Sequence, residues 1–331
     1  MTEDELIAEI RRRVRGIGSR RVVLGIGDDA AAWQPSRSAR SVVTTDALVE
    51  GVHFTRELMS AHDAGWRALA SNLSDIAAMG ARPVLATVAL GIPPGTDPAW
   101  LLECYDGIAA LAKRARCAIA GGDLTRAPAI TLSITVIGEV RPSNLKQRDG
   151  ALPGDVVAVT GPLGASAAGL RVAGNPALAT DARFADVLAV FRRPEPQLRA
   201  GKLLGASRHV RAMMDLSDGL STDLGRLCAA SKVGATVEAI PVHPGALTVA
   251  VATGEDAQRW ALDGGEDFQL LVCVQRRAFA HLAERMKAAA GQPLLRIGTI
   301  TAEPGVRRSD GTAVQPSGWD HLAGRGPDNL S

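Results

Sequence analysis

Apolar residues recur with two different spacings along the chain, and together the spacings predict a mixture of helices and strands. In "DELIAEIRRRV", one helical face carries Leu6, Ile7, Ile10 and Val14, and "HDAGWRALASNLSDIAAMG" and "PAWLLECYDGIAALAKRA" show the same period. In "AITLSITVIGEV" every second residue is apolar, which is typical of a strand with one buried face. Further strands are predicted at "RVVLGIG", "SVVTTDALV" and "PVLATVAL".

The pattern is interrupted at residues 141–154, "RPSNLKQRDGALPG", by prolines, glycines and clustered polar residues, which predict a linker. The sequence therefore predicts an N-terminal domain over residues 1–140 and a C-terminal domain over residues 155–322. A loose tail is predicted at residues 323–331. In the C-terminal part, "DVVAVTG" precedes "PLGASAAGLRVAG" and "HVRAMMDLSDG" precedes "LSTDLGRLCAAS", strand and helix pairs that are typical of α/β layers.

Composition and charge narrow the class of protein. The chain has 331 residues, enough for two domains, and its 37 basic and 35 acidic side chains give a net charge of +2. This balance disfavours a nucleic-acid partner. No apolar stretch approaches the roughly 18 residues of a membrane span, and the acidic start "MTEDELIAEI" is unlike a signal peptide.

The four cysteines are widely spaced and form no Cys-x-x-Cys pair, so we expect buried, reduced thiols. We therefore expect a cytoplasmic protein with no membrane partner.

Aspartates recur where an apolar strand ends or a helix begins. Singly, each is explained by a helix cap or a turn. Together, with hydroxyl residues beside them, they supply the hard oxygen ligands that Mg²⁺ prefers. Their summed negative charge would need several divalent cations if folding brings them together. The aspartates are Asp28, Asp29, Asp46, Asp75, Asp123, Asp215 and Asp218, and the hydroxyl residues are Thr44, Thr45, Ser74 and Ser217.

Several magnesium ions in one site indicate a polyphosphate substrate and phosphoryl transfer. The segments "IAGGD" and "VTGPLGASAAGL" are predicted as glycine-containing turns, and their backbone N–H groups could approach phosphates. The chain has no G-x-x-x-x-G-K-[ST] motif, protein-kinase signature, serine nucleophile elbow, His-rich metal motif or dinucleotide fingerprint. An ATP enzyme with this sequence therefore belongs to another lineage.

Seven motifs, in order, resemble those of the thiamine-monophosphate kinase family: "GIGDDAA", "TTDALVEGVHF", "NLSDIAAMGARP", "GGDLTR", "DLSDGLSTDLG", "GGEDFQLL" and "GWDH". The resemblance spans roughly residues 22–322 and extends to the superfamily of aminoimidazole ribonucleotide synthetase and selenophosphate synthetase. It implies a mixed α/β (α+β), two-domain aminoimidazole ribonucleotide synthetase-like fold. In that fold the N-terminal sheets pair across a homodimer, and the C-terminal domain is layered α/β.

The activity that the resemblance implies is ATP-dependent phosphorylation of thiamine monophosphate to thiamine diphosphate, the final step in making that cofactor. Transfer would be direct, in line and Mg²⁺-assisted, with no side chain as general base or nucleophile. The resemblance implies that magnesium contacts Asp29, Thr44, Thr45, Asp46, Asp75, Asp123, Asp215 and Asp218. It implies that ATP contacts Tyr105, Gly122, Asp123, Arg148 and Ser217, and that thiamine monophosphate contacts His53, Glu266 and Trp319.

Four alternatives stay open at this point. Another ATP-dependent synthetase of the superfamily is one, although a selenophosphate synthetase would carry a reactive cysteine near its N-terminal glycines. A hydrogenase maturation protein would end in a cysteine, whereas this sequence ends "DNLS". A non-catalytic nucleotide-binding homologue would have lost the aspartates, and an acidic structural metal binder does not explain the glycines beside them.

Overall fold

A computed structural model describes residues 1–18 and 21–318. The chain divides into two compact units. One comprises Met1–Ile76 and Ala81–Pro142, and the other comprises Ala77–Gly80 and the chain from Ser143 onward.

The first unit is built on a four-stranded sheet with two further short strands beside it. Its first helix begins with a capping box, in which Thr2 and Glu5 satisfy each other's backbone N–H groups. The elements are α1 (Glu3–Val14), β1 (Val22–Leu24), β2 (Ala32–Trp33), β3 (Arg40–Val49), α2 (Ala61–Ala78), β4 (Arg82–Ile92), α3 (Pro98–Ala115), β5 (Ala118–Arg126) and β6 (Thr131–Val140).

The strand order in this sheet is β3-β6-β4-β5, with β6 antiparallel to both neighbours and β4 parallel to β5. Because side chains alternate along a strand, paired residues share a face. The covered face carries Leu48, Ile134 and Val88, which are buried, and Ile76 of α2 packs on it at Gly138. The open face carries Thr45, Ala47, Ser133, Thr135 and Ala89, none of them fully buried.

Strands β1 and β2 form a short antiparallel hairpin over one end of the open face. Only two residue pairs join them, Val22 with Trp33 and Leu24 with Ala32. The hairpin packs Val22, Ala31 and Trp33 against the sheet residues Leu85, Ala118 and Ala120. The connection between the two strands, residues 25–31, holds the adjacent carboxylates Asp28 and Asp29.

The second unit has a six-stranded sheet with helices on both faces. Its strand order is β12-β9-β11-β7-β10-β8, antiparallel except for β12 with β9. The elements are β7 (Val156–Val159), α4 (Ala165–Ala173), α5 (Pro176–Ala179), α6 (Ala185–Arg192), α7 (Leu198–Gly205), β8 (Val210–Asp215), α8 (Leu220–Ser231), β9 (Gly234–Val237), α9 (Pro244–Thr253), α10 (Ala257–Asp263), β10 (Leu270–Val274), α11 (Phe279–Ala290), β11 (Leu295–Thr301) and β12 (Gly305–Arg308).

Two apolar layers sandwich this second sheet. On one face, helix α8 contributes Leu224 and Leu227 to a core with Val157 and Leu271. On the other, Leu204 of α7 and Met286 of α11 pack with Val272. The mixed α/β fold and the layered C-terminal half that the sequence predicts are therefore confirmed.

The structure corrects the prediction for "IAGGD". The segment is not a turn but part of strand β5, where a register shift between Ala86 and Thr87 of β4 leaves one residue bulged. The sequence prediction failed there because glycines favour turns, whereas here they accommodate a bulge. The four cysteines are free and buried, as predicted. Along residues 1–18 and 21–318, no helix has the length and apolar character needed to cross a bilayer.

Candidate active site

The covered face of the first sheet brings three of the predicted magnesium ligands close together. Thr44 and Asp46 lie two residues apart on β3 and therefore share this face. The Thr44 hydroxyl donates a hydrogen bond of 2.5 Å to Oδ2 of Asp75, which lies on α2. A sheet edge and a helix thus place a hydroxyl and two carboxylates in one neighbourhood.

A buried acceptor lies one helical turn away. The amide of Asn72 donates from Nδ2 to the Ala68 carbonyl at 3.1 Å, while its Oδ1 has no hydrogen-bond partner among the described residues. Asn72 is completely buried, and residues three apart on a helix are neighbours, so it lies beside Asp75. A buried oxygen without a donor is costly. Its chemistry suits a cation ligand, because Mg²⁺ prefers carboxylate, carbonyl and hydroxyl oxygens.

Two other predicted magnesium ligands lie on the open face of the sheet. Thr45 follows Thr44 directly, and its hydroxyl donates to the Ile134 carbonyl at 3.1 Å and accepts from Thr135 at 3.1 Å. Asp123 pairs with Ala89 on β5 and is exposed. The structure therefore does not bring the side chains of Thr45 and Asp123 to the Thr44–Asp75 pair. Across the described residues, no group of three or more His, Cys, Asp and Glu side chains is arranged to hold a metal.

Asp29 lies in the hairpin connection and is exposed beside Asp28, whose Oδ1 accepts its backbone N–H at 2.9 Å. A positive group lies near: Nη1 of Arg11 is 2.8 Å from the place that a Cβ on Gly27 would take. A cavity of about 340 Å³ opens beside this contact, between the end of α1, the hairpin and the start of β5. Arg11, in the last turn of α1, thus places a positive charge near the connection that carries the two adjacent carboxylates.

The remaining predicted residues of the first unit have local structural roles. The ring of His53 accepts the Val49 N–H at Nδ1 (3.0 Å), so the neutral ring carries its proton on Nε2. Tyr105 is buried in α3, and burial raises the pKa of its phenol. Gly122 lies in β5, where a Cβ would come within 2.0 Å of the Val88 carbonyl oxygen, so close strand contact explains this glycine.

In the second unit, the predicted residues Ser217, Asp218 and Glu266 lie on two adjacent segments. The Glu266 N–H donates to the Ser217 carbonyl at 2.8 Å, and the Phe268 N–H donates to the Leu216 carbonyl at 3.0 Å. Glu266 and Phe268 have φ of +64° and +48°. Such conformations are strained for non-glycine residues and cluster at functional sites.

The chain just before Trp319 also reaches this region. Gly318 donates its N–H to the Thr222 hydroxyl at 3.1 Å, and a Cβ there would come within 1.9 Å of the Asp218 carbonyl oxygen. The "GWDH" motif thus begins next to the "LSDG" turn. Trp319 itself lies outside the described residues.

Sequence reasoning missed two residues that hold this turn. Oδ2 of Asp223 accepts the N–H groups of Ser217 (3.1 Å) and Asp218 (3.0 Å), and Arg226 contacts both Asp218 and Asp223. Burial raises the pKa of Asp223 to about 6. Its position within "DLSDGLSTDLG", in the first turn of α8, is the signal that could have revealed it, because a carboxylate there can cap the helix.

The other two predicted ligands of the second unit are Asp215 and Arg148. Asp215 is buried as the last residue of β8 and is paired with Leu270 of β10. Arg148 is exposed, and its carbonyl accepts from the Ser231 hydroxyl at 2.7 Å. The joint roles of these residues at magnesium and ATP stay predictions.

The glycine turn before α4 differs from the prediction that its N–H groups approach phosphates. The buried carboxylate of Asp267 accepts the N–H groups of Gly164 (2.5 Å) and Ser166 (2.9 Å). An internal anion therefore already occupies this helix N-terminus, where a phosphate was expected. Burial raises the pKa of Asp267 to about 6.

This raised pKa predicts a pH dependence of stability. Because the folded-state pKa exceeds the ordinary value of 3.8, the stabilisation that comes from protonating Asp267 in the folded state is fully present below pH 3.8 and is lost as the pH rises through about 6. We expect the difference in unfolding free energy between the wild type and Asp267→Asn to favour the wild type more at about pH 5 than at about pH 7.5. Urea unfolding of both proteins at the two pH values measures it. An equal difference at both values would contradict the raised pKa.

Comparisons with known proteins show which class of protein the chain belongs to. The family model for the AIR synthase related protein N-terminal domain matches residues 27–140, and the model for the C-terminal domain matches residues 153–311. The chain is thus a two-domain AIR synthase related protein. It is 38% identical to thiamine-monophosphate kinase of Synechococcus elongatus over 299 residues, which cover 87% of this chain and 88% of that protein.

Two solved structures of this class resemble the chain in both fold and sequence. The crystal structure of thiamine-monophosphate kinase from Stenotrophomonas maltophilia is 38% identical, with a TM-score of 0.83 over 95% of this chain and 98% of that one. AaThiL complexed with AMPPCP and TMP is 29% identical, with a TM-score of 0.77 over 96% of each chain. The chain belongs to the thiamine-monophosphate kinase family.

Proposed function

We propose that this protein transfers the γ-phosphoryl group of ATP to the phosphate of thiamine monophosphate, giving thiamine diphosphate and ADP. The observation that carries the proposal is the likeness, over nearly the whole chain, to a protein solved with AMPPCP and TMP. An acceptor phosphate oxygen forms a bond to the γ-phosphorus, and the bond from that phosphorus to the β,γ-bridging oxygen breaks.

The acceptor explains why no catalytic base is required. A phosphate monoester has a second pKa near about 6, so its oxygen is already ionised at neutral pH. The chemical difficulty is repulsion between two anionic groups, and charge compensation with correct positioning relieves it. We propose direct in-line transfer without a phospho-enzyme, because the ionised acceptor oxygen is itself the nucleophile.

We propose that several Mg²⁺ ions take part, and the donor chemistry of the described residues fits them. When bound, Mg²⁺ offsets polyphosphate charge and holds the reacting oxygens. The chain would hold the ions through Thr44, Asp46 and Asp75 on the covered face, Thr45 and Asp123 on the open face, Asp29 in the hairpin, and Asp215 and Asp218 in the second unit. ATP would also contact Tyr105, Gly122, Arg148 and Ser217.

The thiamine portion of the substrate needs different partners. Glu266 offers a carboxylate to the cationic thiazolium and the aminopyrimidine, and its strained backbone supports a functional role. The imidazole ring of His53 is proposed to contact the substrate. An indole face suits a flat cation, so Trp319 is proposed to stack on the substrate.

We also propose a homodimer that acts in the cytoplasm. The open face of the first sheet supports dimerisation, because Val43 on it is 70% exposed beside the exposed Thr45 and Ala47. The four free cysteines suit a reducing compartment.

The assay that tests the proposed function is incubation of the purified protein with Mg-ATP and thiamine monophosphate, with ³¹P NMR detection of product. We expect thiamine diphosphate and ADP in equal amounts. Unphosphorylated thiamine is the matched control and should yield no product, because its hydroxyl is not ionised at neutral pH. Phosphorylation of thiamine with none of thiamine monophosphate, or turnover of neither, would contradict the proposal.

A further inference from the structure

The hairpin that carries Asp29 needs support from outside itself. Two residue pairs, with a register irregularity between them, join β1 to β2. A hairpin of this length is at best marginally stable in water. Its apolar contacts with Leu85, Ala118 and Ala120 fix one side of the strands but not the connection at residues 25–31.

A buried carboxylate, Glu139, lies at the base of this hairpin. Its side chain is 1% exposed and accepts two hydrogen bonds from Arg21, at 2.7 Å and 2.5 Å. It also accepts the Ser36 N–H at 3.0 Å and an Arg82 N–H at 3.0 Å. Glu139 is on β6, so it ties the hairpin to the centre of the four-stranded sheet over 118 positions of sequence.

Arg21 links Glu139 to both ends of the hairpin. It directly precedes β1, and its Nε and Nη2 donate to the carbonyl of Gln34, just after β2, at 2.8 Å and 2.6 Å. The Gln34 N–H in turn donates to the Arg21 carbonyl at 2.8 Å. Glu139 therefore holds Arg21 and Ser36 directly, and Gln34 through Arg21, at the open end of the two strands whose other end leads into the connection.

Stability alone does not account well for such an arrangement. A buried ion pair contributes little net stability, because desolvation of the charges offsets their attraction. Buried ionic groups are better documented as groups that fix a single register of packing between neighbouring elements. Partners that orient metal ligands from outside the coordination sphere typically change metal affinity by about 10–100-fold when they are replaced.

We propose that Glu139 is a positioning residue for Asp29: through Arg21 it fixes the hairpin so that the connection holds its carboxylate ready for the divalent cation. The inference rests on the proposed function only in taking Asp29 as a magnesium ligand. Arg82 serves as the matched control, because it contacts the same carboxylate at 3.0 Å while its own side chain is 55% exposed and makes no described contact with the hairpin.

The first test is hydrogen exchange on the metal-free protein. In Glu139→Gln we expect exchange at the hydrogen-bonded amides of the hairpin, residues 22–24 and 32–34, to accelerate about tenfold, with β4 and α3 unchanged, and in Arg82→Gln we expect no change at the hairpin. This readout requires no activity, so it stands or fails separately from the proposed function. Unchanged exchange in the hairpin, or equal acceleration throughout the first unit, would overturn the positioning role.

The second test is a double-mutant cycle on magnesium. We expect Glu139→Gln to raise the Mg²⁺ concentration at half-maximal calorimetric binding in the presence of AMPPCP by about tenfold. In an Asp29→Asn background the same substitution should add less than about twofold, because the ligand that it positions is already lost. Effects that multiply in the double variant would show that Glu139 acts independently of Asp29 and would overturn the proposal.

Discussion

Replacement of Asp75 by asparagine is expected to lower turnover by about 10²–10³-fold while the protein stays folded. Asparagine keeps the shape of the side chain and an oxygen that can accept the 2.5 Å hydrogen bond from Thr44, but it loses the negative charge. If Asp75 helps to hold a cation around the transferring phosphoryl group, that charge acts directly on the transition state. Steady-state kinetics at saturating Mg-ATP and thiamine monophosphate measure the loss.

The control for this result is Asp106→Asn, which removes the same charge from the same unit. Asp106 lies on α3 with a 51% exposed side chain and pairs with Arg13 at 2.9 Å. We expect turnover within about twofold of the wild type, since an exposed pair contributes little. Near-normal turnover in Asp75→Asn, with both variants folded by circular dichroism, would remove Asp75 from the site.

The largest expected effect on stability is that of Asp267→Ala, about 3 kcal/mol of unfolding free energy. The substitution leaves the N–H groups of Gly164 and Ser166 buried without an acceptor and opens a cavity at the start of α4. Urea denaturation should show a lower midpoint with an unchanged slope.

An exposed helix cap provides the comparison for that variant. Asp256 caps α10 by accepting the Gln258 N–H at 2.8 Å, and its replacement by alanine should cost about 1 kcal/mol. Equal losses in Asp256→Ala and Asp267→Ala would mean that Asp267 is an ordinary cap and that its burial adds nothing.

Local patterns allowed much of the fold to be predicted from the sequence. The period of "DELIAEIRRRV" predicts α1, and Leu6, Ile10 and Val14 are its buried residues. The alternation in "AITLSITVIGEV" predicts β6, with Leu132, Ile134 and Val136 on its covered face. Strand β5 was missed because its glycines suppress the local strand signal, and its pairing with β4 is a contact between distant segments.

The candidate site was predictable only as a set of residue types. Motifs identified Thr44 and Asp75, and the structure joins them by a hydrogen bond. Alternation along the predicted strand "SVVTTDALV" could have placed Thr45 on the face opposite Thr44. Motifs could not show that Asp267 occupies a helix N-terminus expected to meet phosphate. Glu139 carries no motif at all. Its role arises from Arg21, which is far away in sequence.

The central claim is that carboxylates dispersed along the chain hold divalent cations around the facing phosphates of ATP and thiamine monophosphate. Anomalous diffraction from crystals grown with Mn²⁺, AMPPCP and thiamine monophosphate tests it most directly. We expect a manganese peak within about 2.0–2.6 Å of a carboxylate oxygen of Asp75, beside the bound phosphates. Phosphates bound with no manganese peak near Asp75 would contradict the claim.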